Sequence, residues 1–152
     1  MSAQGTSGGE SPRPKITATS IQEMRGRGQP IAMVTAYDFP TARIAEAAGV
    51  DAVLVGDSLA MVVLGHPNTL SVTMDEMLHH ARAVSRGASR PLLVGDMPFM
   101  SYQTATADAV RNAGRFLQEA GMDAVKLEAA GPSSRPSRPS SVPGSRCRGT
   151  SA

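Results

Sequence analysis

AGVDAVLVGD, residues 48–57, returns 72 positions later as AGMDAVKLEA, residues 120–129. Both copies share A-G-x-D-A-V and both run into an apolar stretch of strand length, AVLVG at 52–56 and AVKLE at 124–128. Two more such stretches, IAMVTA at 31–36 and PLLVG at 91–95, read as strands by their length and β-branched content. Between the strands lie helical segments with recognisable ends. Asp38 can cap a helix with Pro40 in its first turn and Gly49 after its end. Thr73 and Glu76 form a capping box ahead of a helix that places Met74, Met77, Leu78, Ala81 and Val84 on one face before Gly87 stops it. Thr106 opens a third helix, with Val110, Ala113, Leu117 and Ala120 expected on its buried face and Gly121 past its end. A short helix from Ser20 to Arg25 precedes the first strand.

Strand and helix therefore alternate, which implies a parallel sheet. The offset of the repeat fits two βα units of about 36 residues each, the spacing of a (β/α)8 barrel. A dinucleotide-binding fold is less favoured, because no G-x-G-x-x-G follows any strand. The expected fold class is α/β, a (β/α)8 TIM barrel represented by about its first four βα units.

The 152 residues hold 15 basic and 13 acidic side chains, nine Met, no Trp and only 3% aromatic residues, so the core must be built from small aliphatics and Met. The charge is unevenly placed. From Gly131 onward the chain carries Arg135, Arg138, Arg146 and Arg148 with no acid, leaving 11 basic and 13 acidic groups in the preceding 130 residues. A folded body without a basic face argues against a nucleic-acid partner. The single cysteine, Cys147, excludes a disulfide framework within the chain and suits a reducing cytoplasm. No apolar run is long enough for a membrane span, and the first 15 residues have no apolar leader segment.

These shifts in composition divide the chain into three parts. Residues 1–15 are Gly, Ser and Pro rich and are expected to be disordered, residues 16–129 to form the half barrel, and residues 130–152 to be a disordered tail. The tail holds seven Ser, four Pro and four Arg in its last 22 residues, and its abrupt onset suggests a changed reading frame or a truncated gene.

In parallel α/β folds, chemistry collects at the carboxyl ends of the strands. Three of the four strands end in an acid: Asp57 follows VLVG, Asp96 follows LLVG, and Glu128 closes AVKLE. Taken singly, each is weak evidence, because an acid after a strand is more often a turn former or a helix cap. Together they converge on one face, where oxygen ligands suit Mg2+, a cation that takes few carboxylates and keeps other positions for water and substrate. Lys126 points the same way as Glu128 in a strand. An ionisable pair in a strand covered on both faces needs a partner or a metal, although an exposed edge strand would also explain it. His79 and His80 are adjacent and so cannot share a face; a solvated surface is the simpler expectation. His66 lies in the loop GHPNT, and Tyr37 could wall a substrate.

At VGDSLAMVVLG and DMPFMSYQ, and over residues 15 to 129 as a whole, the sequence resembles the ketopantoate hydroxymethyltransferases. The resemblance implies a cytoplasmic (β/α)8 barrel, usually decameric, that uses Mg2+ and takes 5,10-methylenetetrahydrofolate as co-substrate. It further implies that Asp57 and Asp96 bind metal and substrate, that Ser58 holds the carboxylate of a 2-oxo acid, that Lys126 binds substrate, and that Glu128 is associated with the metal. The activity implied is hydroxymethyl transfer to 3-methyl-2-oxobutanoate through a Mg-stabilised enolate, giving ketopantoate for pantothenate and coenzyme A synthesis. The family's general base is a glutamate from the second half of the barrel, and no counterpart follows Glu128, so no catalytic base is assigned within this sequence. Two alternatives stay open: an inactive fragment lacking that base, and a related Mg-dependent, enolate-forming lyase or mutase of the isocitrate lyase type.

Overall fold

Among the described residues, four parallel strands lie side by side in the order in which the chain makes them. They are β1 (Met33–Thr35), β2 (Ala52–Val55), β3 (Leu92–Asp96) and β4 (Ala124–Lys126), and the sheet order is β1-β2-β3-β4. A doubly wound sheet reverses its winding at a switch point, whereas a (β/α)8 barrel never does. The sequential order therefore shows half of a barrel. This computed structural model describes residues 14–128, and the expectations for residues 1–13 and from 129 onward lie outside the described residues.

The repeat has a structural cause that reaches across strands. Gly49 and Gly121 both adopt positive φ, +76° and +66°, and turn the chain out of a helix towards the next strand. The aspartate two residues later then grips the neighbouring strand. Asp51 Oδ2 accepts from the amide of Ala32 at 2.9 Å while the Asp51 amide donates back to Ala32 O at 2.9 Å. Asp123 does the same to Leu93, at 2.8 Å from the side chain and 2.9 Å from the backbone. Each A-G-x-D thus fixes the entry and the register of a parallel pair, which continues as Met33 opposite Ala52 and Val94 opposite Ala124.

Among the described residues, five helices accompany the strands: α1 (Ala18–Gly26), α2 (Phe39–Ala47), α3 (Leu59–Val62), α4 (Met74–Gly87) and α5 (Thr106–Ala120). Asp38 caps α2 through the Thr41 amide, and Thr73 with Glu76 forms the capping box of α4. A second box, Thr17 with Ser20, starts α1 two residues earlier than the sequence suggests.

The two faces of the sheet bury different residues. Val53, Val55 and Leu93 pack under Met77, Leu78, Ala81 and Val84 of α4 and Phe116 of α5. On the opposite, inner face, Ala52, Leu92 and Val94 cluster with Ile16, and Ile21 of α1 joins them.

One local expectation, the buried face of α5, needs correction. Gly87 ends α4 as expected, as its last residue, and a Cβ there would stand 2.6 Å from Phe39 O and 2.8 Å from Ala42 Cβ. It is a crossing point for α2. In α5 the buried stripe is Phe116 and Ala120 with Ala113 packed beside them, while Val110 and Leu117 are 67% and 47% exposed. The Phe116 ring fixes this rotation, because it packs against Gly95, where an added Cβ would stand 2.5 Å from Phe116 Cδ1.

Candidate active site

The inner face of the sheet changes character at its carboxyl edge. In β3, alternation sends Leu92, Val94 and then Asp96 inward; in β4, Ala124 is followed by Lys126. Asp96 and Lys126 are also direct register partners, so the two side chains meet across the strands. Lys126 Nζ donates to Asp96 Oδ2 at 2.7 Å and to Glu128 Oε1 at 3.3 Å. The Asp57 amide lies 3.5 Å from the same Asp96 oxygen.

Asp96 is the buried centre of this group, only 2% exposed, and its Oδ1 is enclosed without a hydrogen-bond partner. Burial pushes its carboxyl above the ordinary aspartate range and the nearby Asp57 charge adds to the rise, against the pull of the Lys126 ammonium. For Lys126, burial disfavours the charge, but the hydrogen bonds and charges of Asp96 and Glu128 outweigh it and raise the pKa. The lysine is held as a cation, beside a carboxylate that burial makes reluctant to ionise.

Ser58 opens α3 without using its side chain as a cap. Its hydroxyl instead meets the Tyr37 hydroxyl at 2.9 Å. Gly56 makes room here, since a Cβ at that position would be 3.0 Å from Ser58 Oγ and 3.9 Å from Asp96 Oδ2. Asp57, Ser58, Asp96, Lys126 and Glu128 thus share one edge of the sheet. Glu128 is the outlier, with a side chain 68% exposed that reaches the others only through Lys126. No group of three or more His, Cys, Asp or Glu side chains among the described residues is preformed for a metal ion. The buried, unpartnered Asp96 Oδ1 and the neighbouring Asp57 carboxylate nevertheless are hard oxygen donors, which fit a cation that draws its remaining ligands from substrate and water.

Two residues that the sequence left aside belong to this edge. His79 is exposed as expected, but the half-buried His80 donates from Nδ1 to Tyr37 O at 2.6 Å. Tyr102 clamps the end of β4: its hydroxyl donates to Glu128 O at 2.9 Å and accepts from the Glu128 amide at 3.1 Å. Nothing in the spacing of SYQ marks that return, whereas Asp38, which precedes α2, was legible as a cap.

Fold and site together define a half barrel of the (β/α)8 class with an acid–lysine cluster at its carboxyl edge. Among solved structures, phosphoenolpyruvate phosphomutase from Streptomyces platensis subsp. rosaceus shares this fold with a TM-score of 0.57 at 21% identity, over 72% of this chain and 37% of that one. A 2,3-dimethylmalate lyase of the PEP mutase/isocitrate lyase superfamily follows at 0.54 and 23%, over 74% and 40%. The chain itself belongs to the ketopantoate hydroxymethyltransferase family, whose match covers residues 15–135. The 3-methyl-2-oxobutanoate hydroxymethyltransferase of Carboxydothermus hydrogenoformans is 59% identical over 77% of this chain and 42% of its own length. That of Syntrophus aciditrophicus is 60% identical over 75% and 42%. The chain therefore spans about two fifths of the curated relatives it matches.

Proposed function

We propose that residues 14–128 form the metal and oxo-acid side of a site that makes ketopantoate from 3-methyl-2-oxobutanoate and 5,10-methylenetetrahydrofolate. One observation carries the reading: Asp96, buried on the inner barrel face, is paired in register with Lys126 through Oδ2, which the Asp57 amide also approaches, and keeps its Oδ1 unpartnered. Asp57 and Asp96 would hold Mg2+, with Glu128 as a third carboxylate ligand. When bound, the cation supplies Lewis-acid polarisation of a keto oxygen.

The chain's own residues do the rest on this side of the reaction. Ser58 donates to the carboxylate of the oxo acid. Lys126 places a fixed positive charge where negative charge grows on the keto oxygen as the C3 proton leaves, and its raised pKa keeps that charge through neutral pH. A base from outside residues 14–128 takes the C3 proton, a carbon–carbon bond forms between C3 and the one-carbon unit, water supplies the hydroxyl, and tetrahydrofolate departs with the proton on its nitrogen. A cytoplasmic setting accords with the single cysteine of the sequence.

The test is an amide NMR titration of the chain with 3-methyl-2-oxobutanoate in the presence of Mg2+. Shifts are expected at Asp57, Ser58, Asp96 and Lys126. A response to phosphonopyruvate or isocitrate with none to 3-methyl-2-oxobutanoate would favour the lyase or mutase alternative.

A further inference from the structure

Behind Ser58 stands a second layer of hydrogen bonds with no part in the scheme above. Tyr37 lies just beyond β1, half-buried against the main core, with its hydroxyl 2.9 Å from Ser58 Oγ. The carbonyl of the same tyrosine faces His80 Nδ1 at 2.6 Å. A carbonyl can only accept, so the hydrogen of that bond sits on Nδ1. His80 belongs to α4, which is anchored in the core by Met77, Leu78, Ala81 and Val84. A continuous path thus leads from a rigid helix, through the backbone at the end of β1, to a hydroxyl beside Asp57.

Without Tyr37, no hydrogen bond among the described residues selects the Ser58 rotamer, because Ser58 does not cap α3 and Gly56 leaves the space beside it open. We propose that Tyr37 is a positioning residue, held by His80, that fixes the Ser58 hydroxyl for a carboxylate ligand. The direction of the bonds gives the specificity. A Tyr37 hydroxyl that donates to Ser58 Oγ leaves the serine's own hydrogen free for an anionic acceptor, and bonds in such a chain strengthen one another. The inference rests on the reading that Ser58 faces the oxo acid, and its test separates the two claims.

In the ligand-free chain, the Hα–Hβ couplings of Ser58 should report a single rotamer. Tyr37→Phe, which keeps the ring in place, should average them. His80→Phe should do the same, whereas His80→Asn keeps a donor near the Nδ1 position and should preserve the fixed rotamer. With ligand present, Tyr37→Phe should raise the Kd for 3-methyl-2-oxobutanoate about fivefold, the effect of one lost neutral hydrogen bond, and leave the Kd for Mn2+ unchanged. Averaged couplings in the unaltered chain, or a rotamer that stays fixed in Tyr37→Phe, would overturn the proposal whether or not the oxo acid binds. A fixed Ser58 released by Tyr37→Phe, in a chain that binds no oxo acid, would uphold the positioning and contradict the hydroxymethyltransferase reading instead.

Discussion

Asp96 is where stability and function pull in opposite directions. Its folded pKa lies above the unfolded value, so the folded state holds the proton more tightly, and the stability this contributes is lost as pH rises from the ordinary carboxylate range through the raised value. Lys126 has the opposite consequence for the working range: its raised pKa contributes stability that is fully present below the ordinary lysine value and is lost as pH climbs through the folded one. Lys126→Met should therefore push the Asp96 pKa higher still, as read by carboxyl carbon NMR across a pH series. Asp96→Asn removes a buried charge while keeping its shape, so the thermal midpoint at neutral pH should hold or rise while Mg2+ and oxo-acid binding is lost. A fall in the midpoint would show that the carboxylate is needed for folding. Of the five candidate residues, the three acids could be picked out because one closes each of three apolar runs, and Lys126 because it alternates with Glu128; Ser58 came from the family resemblance alone. The contacts around them were not legible in the sequence: whether His80 faces solvent or the Tyr37 carbonyl depends on where α4 lies against β1, and adjacency to His79 says nothing of that.

Glycines govern how the elements touch. Gly87→Ala would drive a methyl into Phe39 O and Ala42 across the α2–α4 crossing, and Gly95→Ala would drive one into the Phe116 ring. Each should cost about 1–3 kcal/mol in urea unfolding, the usual range for overpacking a filled core. Gly114→Ala, with nothing within 4 Å of the added carbon, is the matched control. It should stabilise α5 by up to ~1 kcal/mol through helix propensity alone. Losing the Thr73 cap by Thr73→Ala should cost about 1 kcal/mol. At this scale the strands and the caps at Asp38 and Thr73 could be read directly, since each rests on local chemistry. The buried face of α5 could not. Val110, Ala113, Leu117 and Ala120 fit a helical stripe as well as Ala113, Phe116 and Ala120 do, and the choice was made by the gap that Gly95 leaves for an aromatic ring.

Across the whole molecule, the sheet's two ends carry apolar side chains into solvent. Met33 and Val34 on β1 are 53% and 39% exposed, and Leu127 beyond β4 is 52% exposed. Natural sheets blunt such edges with charge, so the 152-residue chain should self-associate, and Val34→Lys with Leu127→Lys should suppress this in light scattering. Monodisperse wild-type chain at high concentration would contradict that expectation. Barrel class was accessible from the repeat, because A-G-x-D marks a strand entry that recurs every second unit; the reciprocal Asp51–Ala32 and Asp123–Leu93 bonds that make it recur needed the structure. On the proposed reading, Asp57, Ser58, Asp96 and Lys126 form one site for a metal and a 2-oxo acid. Calorimetric titration of the chain with 3-methyl-2-oxobutanoate, with and without Mg2+, decides this: saturable binding that Mg2+ tightens and that Asp96→Asn abolishes is expected, whereas binding indifferent to both Mg2+ and Asp96, or no binding at all, would refute it.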